Sequence, residues 1–226
     1  MEEVILILLI ALTLLTIFCL YKMLDKRGLY FTLVILNLIS FVLTFKVTNV
    51  FKMNVNIGIV PYIATLSVIY IFIIKFGYKE VKNLIKICLY SNITAALLLA
   101  VMNYFIPAIT ETVSINMQGT FEYNYKILII YPIMMAISQI IVTKLYKLVE
   151  SIQNNVILCV SLTYIITAIL YTIVFYVLCY INIMEIKYSL FLGISTYILG
   201  LAITIINIIF INYITTSKKV IQWQMK

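Results

Sequence analysis

Residues 4–21 read VILILLIALTLLTIFCLY, an apolar run without a single charged side chain. A helix needs about 20 mostly apolar residues to cross the hydrocarbon core of a bilayer. Six further runs follow, at residues 29–45, 57–74, 87–106, 127–148, 156–181 and 188–214. Backbone polar groups in lipid must bond within their own segment, and none of the runs alternates in polarity as barrel strands do. The sequence therefore predicts an all-α transmembrane domain over residues 1–226, with about seven spanning helices.

The overall composition agrees with a chain that faces lipid. It is 65% hydrophobic and 11% charged, whereas a soluble domain is roughly a quarter charged. The net charge of +8 is carried by lysines in short loops between the runs, so we expect a lipid bilayer and no nucleic acid as partner. The four cysteines lie in or beside apolar runs and form no CxxC motif. We expect them to be small buried hydrophobes, and we expect no cofactor.

Basic residues are distributed unevenly between the two sets of alternate loops. Twelve lysines and arginines fall in one set, and four fall in the other: Lys46, Lys52, Lys126 and Lys187. The positive-inside rule places the set of twelve in the cytoplasm. The N-terminus is then outside and the C-terminus inside, in a plasma or inner membrane. Residues 1–3 lack the basic region of a secretory signal, so we expect the first run to be a retained helix.

The longest connection, residues 107–126, falls on the outer side in this topology. Its small polar residues and two glutamates fit a solvated loop, and they also fit a gate over an outward-facing cavity.

No Asp, Glu or His lies inside any of the seven runs. Such residues commonly mark proton relays and ion pathways within membranes. We therefore expect any transport to be facilitated or driven by a partner, without a carboxylate relay. The chain also lacks GxSxG, HExxH, Walker and CxxC motifs, so we expect neither an enzyme nor a metal site.

Short motifs along the chain resemble one known family of membrane proteins. They are DKRGLY at 25–30, VTNVF at 47–51, KFGYKEVK at 75–82, SQ at 138–139 and LYTIVF at 170–175. With their spacing, they resemble the queuosine precursor transporter family, also called the vitamin-uptake-transporter-like family. The resemblance implies uptake of a small nucleobase-like compound, in that family a queuosine precursor of the 7-deazapurine type.

The chain departs from that family at the family's charged positions. By the resemblance, an arginine is replaced by Lys126, and intramembrane acids are replaced by Tyr70, Ile74, Val142, Tyr171 and Asn207. Those carboxylates would suit the amine and amide groups of a deazapurine. The resemblance therefore implies a divergent member that keeps the family's scaffold but lacks the carboxylates suited to the family's substrate.

The remaining polar side chains predict a cavity between the third, fifth, sixth and seventh spans. Amide groups donate and accept hydrogen bonds at once, which suits the edge of a planar heterocycle that tyrosines could stack against. The candidate substrate-binding residues are Tyr62, Tyr70, Ser138, Gln139, Thr167, Tyr171, Thr204 and Asn207. The alternative is that these are packing faces, since Gly200 and Thr204 form a small-xxx-small pair.

Three other functions stay open at this point. The chain could be the substrate-binding membrane subunit of an ATP-driven importer of the energy-coupling-factor type, a non-transporting scaffold, or a lipid-handling protein. The partners considered are therefore a small-molecule substrate, an ATPase and a second copy of the chain. The basic loops could dock an ATPase, but the positive-inside bias accounts for the same residues.

Overall fold

The computed structural model describes residues 1–102, 125–153, 155–180 and 185–216. Long helices dominate these ranges, with one short pair of strands. The helices are α1 (Glu2–Leu43), α2 (Ile59–Phe76), α3 (Tyr78–Met102), α4 (Tyr125–Glu150), α5 (Val156–Ile169), α6 (Phe175–Tyr180) and α7 (Ile186–Thr216). A π-helical turn (Leu170–Val174) joins α5 to α6, and the strands are β1 (Val47–Val50) and β2 (Met53–Asn56).

Six helical segments of the described residues are long and apolar enough to cross a membrane, with α5 to α6 counted as one. Their outer faces carry large apolar side chains that are more than half exposed, among them Val4 and Leu8 on α1 and Leu97 and Leu98 on α3. Water disfavours apolar surface of this extent, whereas lipid accepts it. The chain is a helical membrane protein, which confirms the predicted all-α class.

The helix α1 folds back on itself at Asp25. The φ of 52° and ψ of −128° at this residue are not helical, so they divide α1 into two arms, residues 2–24 and 26–43. A Cβ atom on Gly28 would lie 1.9 Å from the carbonyl oxygen of Leu20. The two arms therefore meet backbone to backbone beside the turn, and a glycine is required there.

The two arms of α1 are antiparallel. Glu2, at the start of the first arm, accepts a hydrogen bond of 3.3 Å from Thr48, which follows the end of the second arm. The start of one arm and the end of the other therefore lie at the same end of the bundle. The two arms match the first two apolar runs predicted from the sequence.

The helix α2 lies at the centre of the bundle. Every residue from Ile59 to Ile73 is buried, and α2 contacts α1, α3, α4 and α7. A helix that is apolar on all sides belongs in the interior of a bundle. The tyrosines of α2 therefore point at neighbouring helices and cannot serve as an interfacial belt.

The strands β1 and β2 form an antiparallel hairpin with Val47 opposite Asn56. The apolar runs alone predict only a connection between two helices at this segment. Phe51 and Lys52 at its tip both have positive φ, 49° and 62°, as in the type I′ turn that matches the twist of a tight hairpin. Periodicity alone does not reveal so short a pair of strands.

Asn56 anchors the hairpin to the helices. Its side-chain Nδ2 donates to the Thr44 carbonyl at 2.6 Å, and its Oδ1 accepts from the Gly58 backbone N–H at 2.9 Å. Its own backbone N–H donates to the Thr196 hydroxyl at 3.1 Å. One buried residue thus fixes the start of α2 against the end of α1 through its side chain, and against α7 through its backbone.

The helix α3 begins at Tyr78, before the predicted run at residue 87. Its first two turns are amphipathic, with Val81 and Leu84 buried and Lys79 and Lys82 directed away from the core. A search for continuous apolar sequence misses such a start, because lysines interrupt it. The predicted outer connection, residues 107–126, lies almost entirely outside the described residues.

Candidate functional site

The eight candidate residues lie in the helices that were expected to surround a cavity. All are buried, and none is more than 4% exposed. They are distributed as Tyr62 and Tyr70 on α2, Ser138 and Gln139 on α4, Thr167 on α5, Tyr171 in the π-helical turn, and Thr204 and Asn207 on α7.

Three aromatic rings form a parallel stack beside the central helix. The ring centroids of Tyr62 and Tyr171 are 3.9 Å apart with an interplanar angle of 10°, and those of Tyr171 and Phe175 are 5.3 Å apart at 5°. Tyr171 belongs to the π-helical turn, a rare conformation that is frequent at functional sites. The two candidate tyrosines that the sequence placed on different spans are therefore in face-to-face contact.

Thr163, Thr167 and Tyr171, spaced four residues apart along α5 and the π-helical turn, form a polar stripe that faces α2. Thr163 lies with its hydroxyl 2.7 Å from that of Tyr70, and Tyr171 stacks on Tyr62. Thr167 lies between Thr163 and Tyr171 in the chain, one helical turn from each. The side chain of Thr167 is fully buried, so it lies at the level between the two tyrosines of α2.

Gln139 lies at a similar depth on the helix α4. The Tyr62 hydroxyl faces Ser138, and the ring of Tyr70 contacts that of Tyr146 at 5.6 Å. Tyr62 and Tyr70 are eight residues apart on α2. Their partners on α4, Ser138 and Tyr146, are also eight residues apart, so the two helices run parallel and in register here. Gln139, next to Ser138 and fully buried, therefore lies at the level of Tyr62.

Asn207 belongs to a closed hydrogen-bond network. The Ser67 hydroxyl donates to Asn207 Oδ1 at 2.7 Å, and Asn207 Nδ2 donates to the Ile203 carbonyl at 3.0 Å. The Tyr164 hydroxyl lies 2.7 Å from that of Ser67 and donates to the Ile63 carbonyl at 2.7 Å. Ser67 and Tyr164 were not among the candidates. Only the packing of three helices brings them to Asn207.

Gln139 and Thr167 differ from Asn207 because their polar atoms have no partner, and the Tyr62 hydroxyl, although it faces Ser138, forms no hydrogen bond of regular geometry. Both Gln139 amide atoms, the Thr167 hydroxyl and the Tyr62 hydroxyl are buried without a hydrogen bond. Most buried polar side-chain atoms are paired, and an unpaired one costs about 1–3 kcal/mol. These side chains therefore hold hydrogen-bonding groups that the packing of the described residues leaves unused.

Thr204 and Ser138 bond within their own helices. Thr204 donates to the Gly200 carbonyl and Ser138 to the Met135 carbonyl, each at 2.8 Å. A Cβ atom on Gly200 would lie 3.3 Å from the side chain of Ile59, so the small residue allows α7 to approach α2 closely. The helix-packing interpretation therefore describes the Gly200–Thr204 face well.

None of the eight candidates carries a charge. Within the described ranges, no three His, Cys, Asp or Glu residues are grouped so that they could hold a metal ion. A buried charge without a partner is very costly. The central region therefore suits a neutral ligand that offers hydrogen-bond donors and acceptors.

An apolar groove of about 370 Å³ lies apart from these residues. It is at the end of the bundle where the hairpin meets α6 and α7, and it contains none of the eight candidates. Its lining residues are Val47, Asn54, Tyr180, Tyr188, Phe191 and Leu192.

Comparison of the chain with protein-family models, with curated proteins and with solved structures gives no match. The resemblance to queuosine precursor transporters thus stays a prediction from short motifs.

Proposed function

We propose that this protein is a membrane transporter that takes up a small, neutral, planar compound of the nucleobase type. The observation that carries the proposal is the group of unpartnered buried atoms on Gln139, Thr167 and Tyr62, beside a stack of aromatic rings. The polar atoms offer donors and acceptors to the edge of a heterocycle, and the rings offer parallel faces to its plane.

The resemblance makes a 7-deazapurine queuosine precursor the first compound to test, with this chain as a divergent member of that transporter family. The family's intramembrane carboxylates are replaced here by neutral groups. A ligand held by amides and hydroxyls alone binds without an ion pair, so its neutral form is the one recognised.

The proposed topology has seven crossings in a plasma or inner membrane, with the N-terminus outside. Counting the two arms of α1 separately supports that number. Residues 2–24 and 26–43 are helical, and at 1.5 Å per residue they extend about 34 and 27 Å. Both lengths are close to the ~30 Å thickness of the hydrocarbon core.

Ligand entry requires the bundle to open. The rings of Tyr62 and Tyr171 are in contact at 3.9 Å, and inserting a ligand ring between them would roughly double that separation. The segment that carries Tyr171 must then move relative to α2. The π-helical turn Leu170–Val174 is the natural point of adjustment, since its backbone bonds already depart from the regular α pattern.

Equilibrium binding to the purified chain in detergent tests the proposal. Labelled 7-deazapurine and a panel of neutral nucleobases are the probes, and Gln139→Leu is compared with Gln153→Leu. Gln153 is exposed in the connection before α5, so the control makes the same chemical change away from the site. Failure of every planar heterocycle to bind, or equal affinity in both variants, would overturn the proposal.

Uptake by proteoliposomes that contain this chain alone separates the transporter from the ATP-driven subunit. A transporter moves the bound compound without a partner. If binding is retained but uptake appears only when an ATPase copurifies from cells, the chain is the substrate-binding subunit.

A further inference from the structure

A layer of tyrosines lies on one side of the candidate site. The Tyr70 hydroxyl is 2.7 Å from that of Thr163. The ring of Tyr70 contacts the rings of Tyr164 and Tyr146, with centroids 5.0 and 5.6 Å apart. All four side chains are buried, and they belong to α2, α4 and α5. The layer therefore closes the space between three helices.

The Tyr164 hydroxyl extends this layer towards the candidate site. It donates to the Ile63 carbonyl at 2.7 Å and lies 2.7 Å from the Ser67 hydroxyl. Ser67 in turn donates to Asn207 on α7 at 2.7 Å. Ser67 precedes Tyr70 by one helical turn on α2. Hydrogen bonds thus continue from the tyrosine layer almost to the level of the site.

The candidate site lies between two closures that face opposite ends of the bundle. The hairpin end holds β1, β2 and the start of α2. The turn end holds the α1 turn at Asp25 and the start of α3, where Lys26 and Glu80 pair at 3.0 Å. Tyr62 lies in the first turn of α2, and Tyr70 lies eight residues, or about 12 Å, nearer the turn end. The stack on Tyr62 therefore closes the hairpin side, and the layer around Tyr70 closes the turn side.

Different contacts hold the two closures. On the hairpin side, Tyr62 and Tyr171 meet through their ring faces, and the Tyr62 hydroxyl forms no hydrogen bond of regular geometry. The turn side has three side-chain hydrogen bonds between helices, which join Tyr70 to Thr163, Tyr164 to Ile63 and Ser67 to Asn207. Each such bond in a membrane shifts an equilibrium about threefold on average. The hairpin side should therefore open more readily than the turn side.

The π-helical turn separates the two closures along the chain. Tyr171 lies within the turn Leu170–Val174, whereas Thr163 and Tyr164 lie before it on α5. A backbone adjustment within the turn moves Tyr171 relative to α2 and leaves the bonds of α5 in place. The hairpin-side closure is thus able to open while the turn-side closure holds.

We propose that Tyr70 and Tyr164, with their hydrogen-bond partners, form a turn-side gate that stays closed while a ligand enters from the hairpin end past Tyr62 and Tyr171. The gate opens after the hairpin side has closed again, so the site faces one end of the bundle at a time, which is alternating access. This inference rests on the proposed function, because a gate has a role only if a compound crosses the bundle.

Thiol labelling from the two sides of oriented vesicles tests the gate. The reporter is Thr167→Cys, which lies between the two closures, and Asn49→Cys in the hairpin identifies the hairpin side. The background chain has its four native cysteines replaced by alanine: Cys19, Cys88, Cys159 and Cys179. We expect a charged, impermeant reagent to react with the reporter faster from the hairpin side.

Two phenylalanine variants weaken the gate and keep its rings. Tyr70→Phe removes the bond to Thr163, and Tyr164→Phe removes the bond to Ile63. Each should raise the labelling rate of the reporter from the turn side about threefold and leave the rate from the hairpin side unchanged. Tyr213→Phe makes the same chemical change at a side chain of α7 that is 59% exposed, and it should alter neither rate.

A packing role predicts a different pattern, in which the phenylalanine variants loosen the bundle and raise both rates together. That pattern, or a turn-side rate that neither variant raises, overturns the gate. If the variants give no folded peak in size-exclusion chromatography, the reporter alone decides, and equal rates from its two sides overturn the gate. Labelling needs no ligand, so its result is separate from that of nucleobase binding. Side-specific labelling without heterocycle binding refutes the proposed ligand and keeps the gate, whereas binding with equal labelling refutes the gate alone.

Discussion

The contrast between Gln139 and Asn207 gives the sharpest test of the candidate site. Both are buried amides deep in apolar helices. The Asn207 amide has a partner at each end, from Ser67 and to Ile203, whereas both ends of the Gln139 amide have none. Replacing each by leucine should therefore change stability in opposite directions.

The expected magnitudes follow from those partners. Gln139→Leu removes two unpaired polar atoms, each costing about 1–3 kcal/mol in a protein interior. The penalty is smaller in a membrane, because the reference state is also apolar, and we expect a gain on the order of 1 kcal/mol. That gain raises the unfolding midpoint by about 2–4 °C. Asn207→Leu loses the bond from Ser67, worth about 0.6 kcal/mol and at most ~1.7, so its midpoint should fall.

Ligand affinity should follow a different order. If the Gln139 amide hydrogen-bonds to the edge of a heterocycle, Gln139→Leu should weaken binding by roughly three- to tenfold, the equivalent of one neutral hydrogen bond. Asn207→Leu should lose less, because the ligand must compete with Ser67 for its oxygen. The variant with the higher midpoint should thus be the poorer binder.

Two measurements on the same preparations decide the matter. The unfolding midpoint is recorded in detergent without ligand, and the dissociation constant is recorded by equilibrium dialysis with labelled nucleobase. Gln153→Leu, the exposed control, should leave both unchanged. A lower midpoint with unaltered affinity for Gln139→Leu would make Gln139 a packing residue and refute the reasoning.

Four further predictions follow from the fold and its charges. Gly28→Ala should abolish the folded, monodisperse peak in size-exclusion chromatography, because its Cβ would lie 1.9 Å from a carbonyl oxygen across the α1 turn; a normal peak would disprove the tight turn. Cys19 is exposed, although the sequence predicted four buried cysteines; with it replaced, an impermeant thiol reagent should label Asn49→Cys from outside and Lys79→Cys only in opened cells, and the reverse would invert the topology. Uptake into liposomes should survive collapse of the proton gradient, because no Asp, Glu or His lies in the apolar runs; its loss would reveal a relay. The Lys26 ammonium, 3.0 Å away, lowers the pKa of the Glu80 carboxyl from its ordinary value, so that pair should stabilise the fold at neutral pH and cease to do so as pH falls through the lowered pKa. Glu80→Gln should remove this acid dependence with little effect at neutral pH, because the pair is exposed; an unchanged acid transition would show that the pair plays no part.

Sequence length and polarity are sufficient to predict the helices. A run such as residues 57–74 has no other way to satisfy its backbone in lipid, and it became the central helix α2. The stripe of Thr163, Thr167 and Tyr171 was also predictable, because positions four apart share a helix face. Helical periodicity thus predicts which side chains share a face within one helix.

Contacts between segments could not be predicted in the same way. Nothing in the sequence distinguishes Gln139 from Asn207, since both are amides within apolar runs. Their difference arises because Ser67 meets Asn207 across the bundle. The fold-back at Asp25 is likewise a backbone feature, a φ of 52° at a residue with a Cβ atom, that hydropathy does not encode.

The hydroxyl groups of the bundle show why the unpaired atoms are informative. A threonine in a helix can bond to a carbonyl three or four residues earlier at no cost in tertiary structure. Thr163 and Thr172 do so, to Cys159 and Ala168, each at 2.7 Å. Thr167 lies between them on the same span, is equally buried, and has no partner. Since a local bond is within reach of any helical threonine, the unpaired Thr167 hydroxyl supports the proposed binding site more than it supports a packing role.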